Sequence, residues 1–125
     1  MKSKKLSGAP VLGAAALTLM LAAGQANAAD LTAGQAAYEK FACASCHGAD
    51  AKTSVLPSYP ILAGQHEDYL VHALRAYKRG ATGSTTVNAR NNAVMTAMVQ
   101  PLSEADMRNI AAWLASLPSD LAVRR

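Results

Sequence analysis

Cys43-Ala44-Ser45-Cys46-His47-Gly48 is the stretch around which the rest of this chain is read. Two cysteines separated by two residues, with a histidine directly after the second, form the C-x-x-C-H arrangement that attaches a c-type haem. The spacing has a chemical reason. Each thiol adds to one porphyrin vinyl group, and two intervening residues let both sulfurs reach one edge of the macrocycle. The adjacent histidine then lies beneath the iron as its proximal ligand. Three other uses of two cysteines compete with this one. In an exported chain a cysteine pair commonly forms a disulfide. A thioredoxin-type redox pair belongs beside a βαβ pattern, and no run of alternating Val, Ile, Thr and aromatic residues marks a strand here. A structural zinc site wants four Cys or His ligands. The chain has two cysteines, and His66 and His72 are not spaced as a second ligand pair.

The flanking sequence reads as all-α, with three main helices and one shorter turn. A first helix is expected from Asp30–Thr32, either of which can cap it, through Tyr38 and Phe41 to Cys43. A second runs from about Glu67 to Arg79, with Tyr69, Leu70, Ala73, Leu74 and Tyr77 at helical spacing and Gly80 as a stop. A third starts at Ser103, where Asp106 completes an approximate capping box. Its apolar stripe is Met107, Ile110, Ala111, Leu114 and Leu117, and Pro118 ends it. A short helical turn fits residues 93–99. Pro57, Pro60 and Gly64 exclude regular structure from the loop at 48–64. The stretch from Gly80 to Asn92, rich in Gly, Thr, Ser and Asn, reads as a plain loop, and its Gly80-Ala81-Thr82-Gly83 lacks the lysine of a phosphate-binding loop.

A haem iron held by histidine on one side has a second axial position. Thioether ligation there favours ferrous iron and raises the potential. Met107 lies on the apolar stripe and reads as core. Met95 and Met98 are three apart, face the same way on one turn, and spacing alone does not choose between them. His66 and His72 are the competing ligands.

Residues 1–28 read as a secretory signal peptide. Lys2, Lys4 and Lys5 form a positive start, a run of about 13 apolar residues follows from Val11 to Ala23, and Ala26-Asn27-Ala28 gives a cleavage pattern. The alternative, a retained anchor, needs roughly 20 apolar residues. Cleavage near Ala28 would leave a single domain at 29–125 in the periplasm. The formal charge of +4 shrinks with it. Three of the twelve Lys and Arg lie in the leader and none of the eight acids does, so nine cations face eight anions. A clustered basic face of the kind that binds nucleic acid is not indicated. The aromatic set is only Tyr38, Phe41, Tyr59, Tyr69, Tyr77 and Trp113. A buried prosthetic group would add the apolar surface that so small a domain lacks.

From Gly34 to Leu117 the chain resembles small bacterial class I c-type cytochromes, in particular the single-haem units of the periplasmic dihaem cytochromes and their monohaem relatives. The resemblance is carried by Gly34-Gln35-Ala36-Ala37-Tyr38 with the Cys43–Gly48 motif, by Tyr59-Pro60-Ile61-Leu62-Ala63-Gly64-Gln65, and by Tyr69-Leu70 with Leu74. Met95-Thr96-Ala97-Met98, Pro101-Leu102-Ser103 and Ile110-Ala111-Ala112-Trp113-Leu114 complete it. It implies a class I cytochrome c fold around one covalently bound haem c. Cys43 and Cys46 would carry the thioethers, His47 would be proximal, and Met95, eight residues before Ser103, would take the distal position. The Pro60 carbonyl would accept the Nδ1 proton of His47, and Arg90 would lie near a haem propionate. Gly34 would let the first helix cross closely against the last, near Trp113. Tyr38 and Cys43 stand one residue further apart than in many relatives, which leaves the packing of Phe41 and Ala42 open.

The expected function is one-electron transfer in the periplasm, without enzyme activity of its own. Donors would be a dehydrogenase or quinol-oxidising complex, and acceptors a terminal oxidase or reductase. Neither nucleic acid nor direct membrane contact is expected. The alternative is the cytochrome subunit of a specific periplasmic oxidoreductase complex. An enzyme or gas sensor would require an open iron site, with Met95 not bound.

Overall fold

The computed structural model describes residues 28–81 and 88–120. Residues 1–27, most of the expected leader, lie outside the described residues, as do residues 82–87 of the loop after Gly80 and residues 121–125. The described residues form five helices and no strand: α1 (Leu31–Lys40), α2 (Ala44–His47), α3 (Glu67–Gly80), α4 (Ala93–Met98) and α5 (Glu104–Ser116). None is long and apolar enough to cross a membrane.

Local chemistry accounts for most helix ends. The Asp30 carboxylate accepts from the N–H groups of Thr32 and Ala33 and so caps α1. In α3, Glu67 and Asp68 lie in the first turn and Lys78 and Arg79 in the last, which complements the helix dipole. The Asn92 side chain accepts from the Met95 N–H at the start of α4. Ser103 and Asp106 form a reciprocal capping box on α5, an arrangement worth about 1 kcal/mol.

The end of α1 differs from the sequence expectation. The helix stops at Lys40, three residues short of Cys43. The Cys43 N–H bonds back to the Tyr38 carbonyl and the Ala42 N–H to that of Glu39. This is the paired closure of a Schellman motif, whose pivot residue takes a left-handed conformation and is usually glycine. Here the pivot is Ala42, with φ of 55°. The turn ends α1 and starts α2 in a new direction.

The core forms where α5 packs on both α1 and α3. Met107, Ile110, Ala111 and Leu114 of α5 meet Ala37 and Tyr38 of α1 and Leu70 and Val71 of α3. Burying each large aliphatic side chain contributes about 1.5–3 kcal/mol. The α1–α5 crossing depends on Gly34. A Cβ there would stand 2.1 Å from the Asn109 carbonyl oxygen and 2.8 Å from Trp113 Cβ. Tyr38 then packs its ring on Trp113 at 4.9 Å between centroids. The α3 stripe is shifted from the expected one: Val71 and Ala76 are buried, whereas Tyr69 is half exposed.

The loop from Gly48 to His66 contains no helix. Gly48 has φ of 83°, and a Cβ on it would meet the Thr53 carbonyl oxygen at 2.2 Å, so only glycine fits that approach. The far end is tied down by the Gly64 N–H, which donates to the Leu114 carbonyl at the end of α5.

Candidate haem-attachment site

The motif occupies the turn that α1 leaves behind. Cys43 is the N-terminal cap residue of α2 and already has helical dihedrals. Cys46 and His47 follow at i+3 and i+4, so all three side chains project from one face of the same helical turn. Both thiols are half buried and neither is in a disulfide. Burial foremost pushes the Cys43 thiol above its usual range. A thioredoxin-type redox thiol instead has its pKa lowered. Among the described residues no group of three or more Cys, His, Asp or Glu is placed to hold a metal ion. These facts weigh against the zinc and thioredoxin-type readings.

His47 is buried, at 7% exposure. Its Nδ1 lies 3.1 Å from the Pro60 carbonyl oxygen. A carbonyl can only accept, so Nδ1 carries the proton and, in the neutral ring, Nε2 is left with a bare lone pair. That is the tautomer a metal-ligating histidine needs, and the hydrogen bond makes the ring a stronger donor. The Tyr59 ring lies 6.2 Å from the imidazole.

The surroundings suit a large flat apolar group. Val55 and Leu56 in the loop, Ile61 beside Pro60, and Val94 beside Met95 are each 45–59% exposed. The Val55 N–H donates to the Cys46 carbonyl, which holds this lip against the attachment turn. Exposed aliphatic side chains on the segments that adjoin the attachment turn, Pro60 and Met95 are of the kind a porphyrin would bury. Met95 is half buried and packs against the core, and Met107 is fully buried in it. His66 and His72 are both exposed, and the His66 side chain makes no capping bond although it holds the cap position of α3.

Arg90 is partly buried, and its guanidinium lies over the rings of Tyr69 and Tyr77 at 5.4 and 5.5 Å. It also donates to the Tyr69 hydroxyl at 3.2 Å. The Arg90 backbone N–H bonds to the Ala76 carbonyl, so this segment is laid across the last turns of α3. Sequence reasoning did not anticipate those ring contacts. It also missed Tyr38, whose buried hydroxyl donates to the Gly48 carbonyl at 2.8 Å. Burial foremost raises the phenol's pKa far above its ordinary value, so it stays a donor. No motif advertises such a contact; only the long-range fold brings α1 over Gly48.

A helical shell whose second turn presents two cysteines and a ligand-ready histidine on one face defines a class of protein that carries a covalently attached haem. The cytochrome c family model matches residues 31–118, and the chain belongs to that family. It is 42% identical over 95 residues to cytochrome c4 of Stutzerimonas stutzeri, covering 74% of this chain and 44% of that one. It is 36% identical over 114 residues to a thiosulfate dehydrogenase electron acceptor of Stutzerimonas stutzeri (strain A1501), covering 88% and 48%. The crystal structure of reduced recombinant cytochrome c4 from Pseudomonas stutzeri superposes with a TM-score of 0.64 at 39% identity, over 73% of this chain and 47% of that one. The chain thus spans about half the length of these relatives. The fold is that of class I cytochrome c, with one covalently bound haem c as cofactor, and electron transport is the family's work.

Proposed function

We propose that this protein is a periplasmic monohaem electron carrier with both axial positions of its iron filled. Cys43 and Cys46 hold the haem as thioethers, His47 is the proximal ligand, Met95 is the distal ligand, and the Pro60 carbonyl orients His47. Arg90 reaches a propionate from its seat on Tyr69 and Tyr77. The leader at 1–28 directs export, and the domain at 29–125 remains. The observation that carries this reading is the buried His47 with Nδ1 committed to Pro60, on the same turn face as both cysteines.

The haem supplies a reversible one-electron centre; the chain binds it, shields it and orients its ligands. With two protein ligands on the iron no position is left for substrate, so the protein has no enzyme activity of its own. Its partners are redox proteins, a dehydrogenase or quinol-oxidising complex as donor and a terminal oxidase or reductase as acceptor. It meets membranes only through them, and it does not bind nucleic acid. The near balance of nine cations and eight anions after residue 28 favours brief, partly apolar docking over strong steering. Replacing Met95 with Ala tests the ligand set: the sulfur-to-iron charge-transfer band should vanish and the potential fall, while Met98→Ala keeps both. An unchanged spectrum in Met95→Ala would reject the assignment.

A second reading, as the cytochrome subunit of one specific oxidoreductase, is favoured by the relative named as an electron acceptor of thiosulfate dehydrogenase. Purification at native abundance separates the two: a carrier elutes alone, whereas a subunit co-elutes with its catalytic partner.

A further inference from the structure

The hydrogen bonds around His47 close into a circuit. Nδ1 donates to the Pro60 carbonyl. Two and three residues on, the N–H groups of Leu62 and Ala63 both donate to the Ala51 carbonyl, at 2.9 and 3.0 Å. The Ala51 N–H donates at 3.1 Å to the Gly48 carbonyl, and Gly48 is joined by its peptide bond to His47. The Tyr38 hydroxyl enters this circuit from α1, donating to the same Gly48 carbonyl.

Two members of the circuit hold conformations that few residues adopt. Gly48 has φ of 83°, and Ala51, wholly buried, has φ of 54°. A left-handed non-glycine residue persists only when its surroundings over-determine it. Tyr38 is itself held in one orientation, its ring packed on Trp113 of α5 and only 1% exposed. The phenol thus carries the rigidity of the α1–α5 crossing into the loop that orients the imidazole.

We propose that Tyr38 is a positioning residue for the iron-ligating histidine: its hydroxyl fixes the Gly48 carbonyl and, through Ala51, holds the Pro60 carbonyl against His47 Nδ1. The inference rests on the reading of His47 as proximal ligand. The Nδ1–H···O bond governs how strongly the imidazole donates to iron, so a hydroxyl on α1 helps to set the potential of the haem.

The test is Tyr38→Phe in haem-loaded protein. The ring and its packing on Trp113 remain, and one hydrogen bond is lost. Three readouts are compared with wild type: the reduction potential, solvent exchange of the His47 Nδ1 proton, and exchange of the Leu62 and Ala63 amides. The potential should move upward, and all three protons should exchange about fivefold faster or more, the factor a net hydrogen bond of ordinary strength implies. Ser103→Ala is the companion variant; it weakens the α5 cap without touching the circuit and should leave the potential and the His47 proton exchange in place. A Tyr38→Phe protein that melts earlier but keeps the wild-type potential and His47 proton exchange would show a purely structural hydroxyl and overturn the proposal. Wild-type protein without covalent haem would instead overturn the ligand reading beneath it.

Discussion

Adding one methyl group at Gly34 should separate the two helices that frame the core. The Cβ of Gly34→Ala would lie 2.1 Å from the Asn109 carbonyl oxygen and 2.7 Å from its carbon. These are backbone atoms in the middle of α5, which cannot rotate aside as a side chain can. Relief requires α1 to move outward, and two contacts depend on its position: the hydrogen bond from the Asp30 N–H to Asn109 Oδ1 at 3.0 Å and the Tyr38–Trp113 packing. Overpacking of this kind costs roughly 1–3 kcal/mol. The hydrogen bond and the aromatic pair contribute about 1 kcal/mol each. Against this, alanine is favoured over glycine inside a helix by about 1 kcal/mol. The balance is a loss of about 3 kcal/mol, or roughly 12–24 °C in Tm for a domain of this size. Thermal unfolding of haem-loaded protein, followed by far-ultraviolet circular dichroism, measures it. A Tm within about 3 °C of wild type would refute the reasoning, because the crossing would then tolerate the displacement.

Ala42→Gly should act in the opposite sense. Ala42 is exposed and sits at the left-handed pivot that ends α1, so glycine relieves backbone strain without losing packing, and denaturant unfolding should show a gain of about 0.5–1 kcal/mol. Asp50 supplies a pH-dependent contribution. Its fully exposed carboxylate accepts from the Thr53 N–H, the Lys52 N–H and the Thr53 hydroxyl, which together hold its pKa at about 2. A depressed carboxyl stabilises above its unfolded value near 4 and loses that contribution as pH falls through its folded value. The stability difference between wild type and Asp50→Asn should therefore be constant above about pH 4 and close as the pH approaches 2. Ser103→Ala should cost about 1 kcal/mol in denaturant titrations by opening the capping box on α5.

Most of the architecture was legible because the helices carry local signals. Asp30, Ser103 with Asp106, and the prolines and glycines of the 48–64 loop each specify an end or a break through their own chemistry. The α5 stripe was readable because an amphipathic helix repeats its apolar residues with the helical period. The end of α1 was not, because the pivot is an alanine. A left-handed alanine has no sequence signature and is imposed by the carbonyls of Tyr38 and Glu39 on the N–H groups of Cys43 and Ala42. The α3 stripe was misjudged at Tyr69 for a related reason. Its ring is half exposed and carries the Arg90 guanidinium, a contact from outside α3 that no local pattern announces.

The candidate site divides in the same way. Cys43, Cys46 and His47 are contiguous, so the motif announces them. The partnership of His47 with Pro60 spans thirteen residues and followed only from likeness to relatives. The Tyr38 hydroxyl, ten residues upstream of Gly48, gave no sign at all, since an aromatic residue on an apolar helix face reads as core whether or not its oxygen has work to do.

Intact mass of the protein purified from the periplasm of cells competent for cytochrome maturation tests the central claim most directly. The account predicts a chain beginning after Ala28 and heavier than its polypeptide by one haem, with the added mass retained after denaturation. A polypeptide mass with no porphyrin, or one lighter by two hydrogens for a Cys43–Cys46 disulfide, would contradict it.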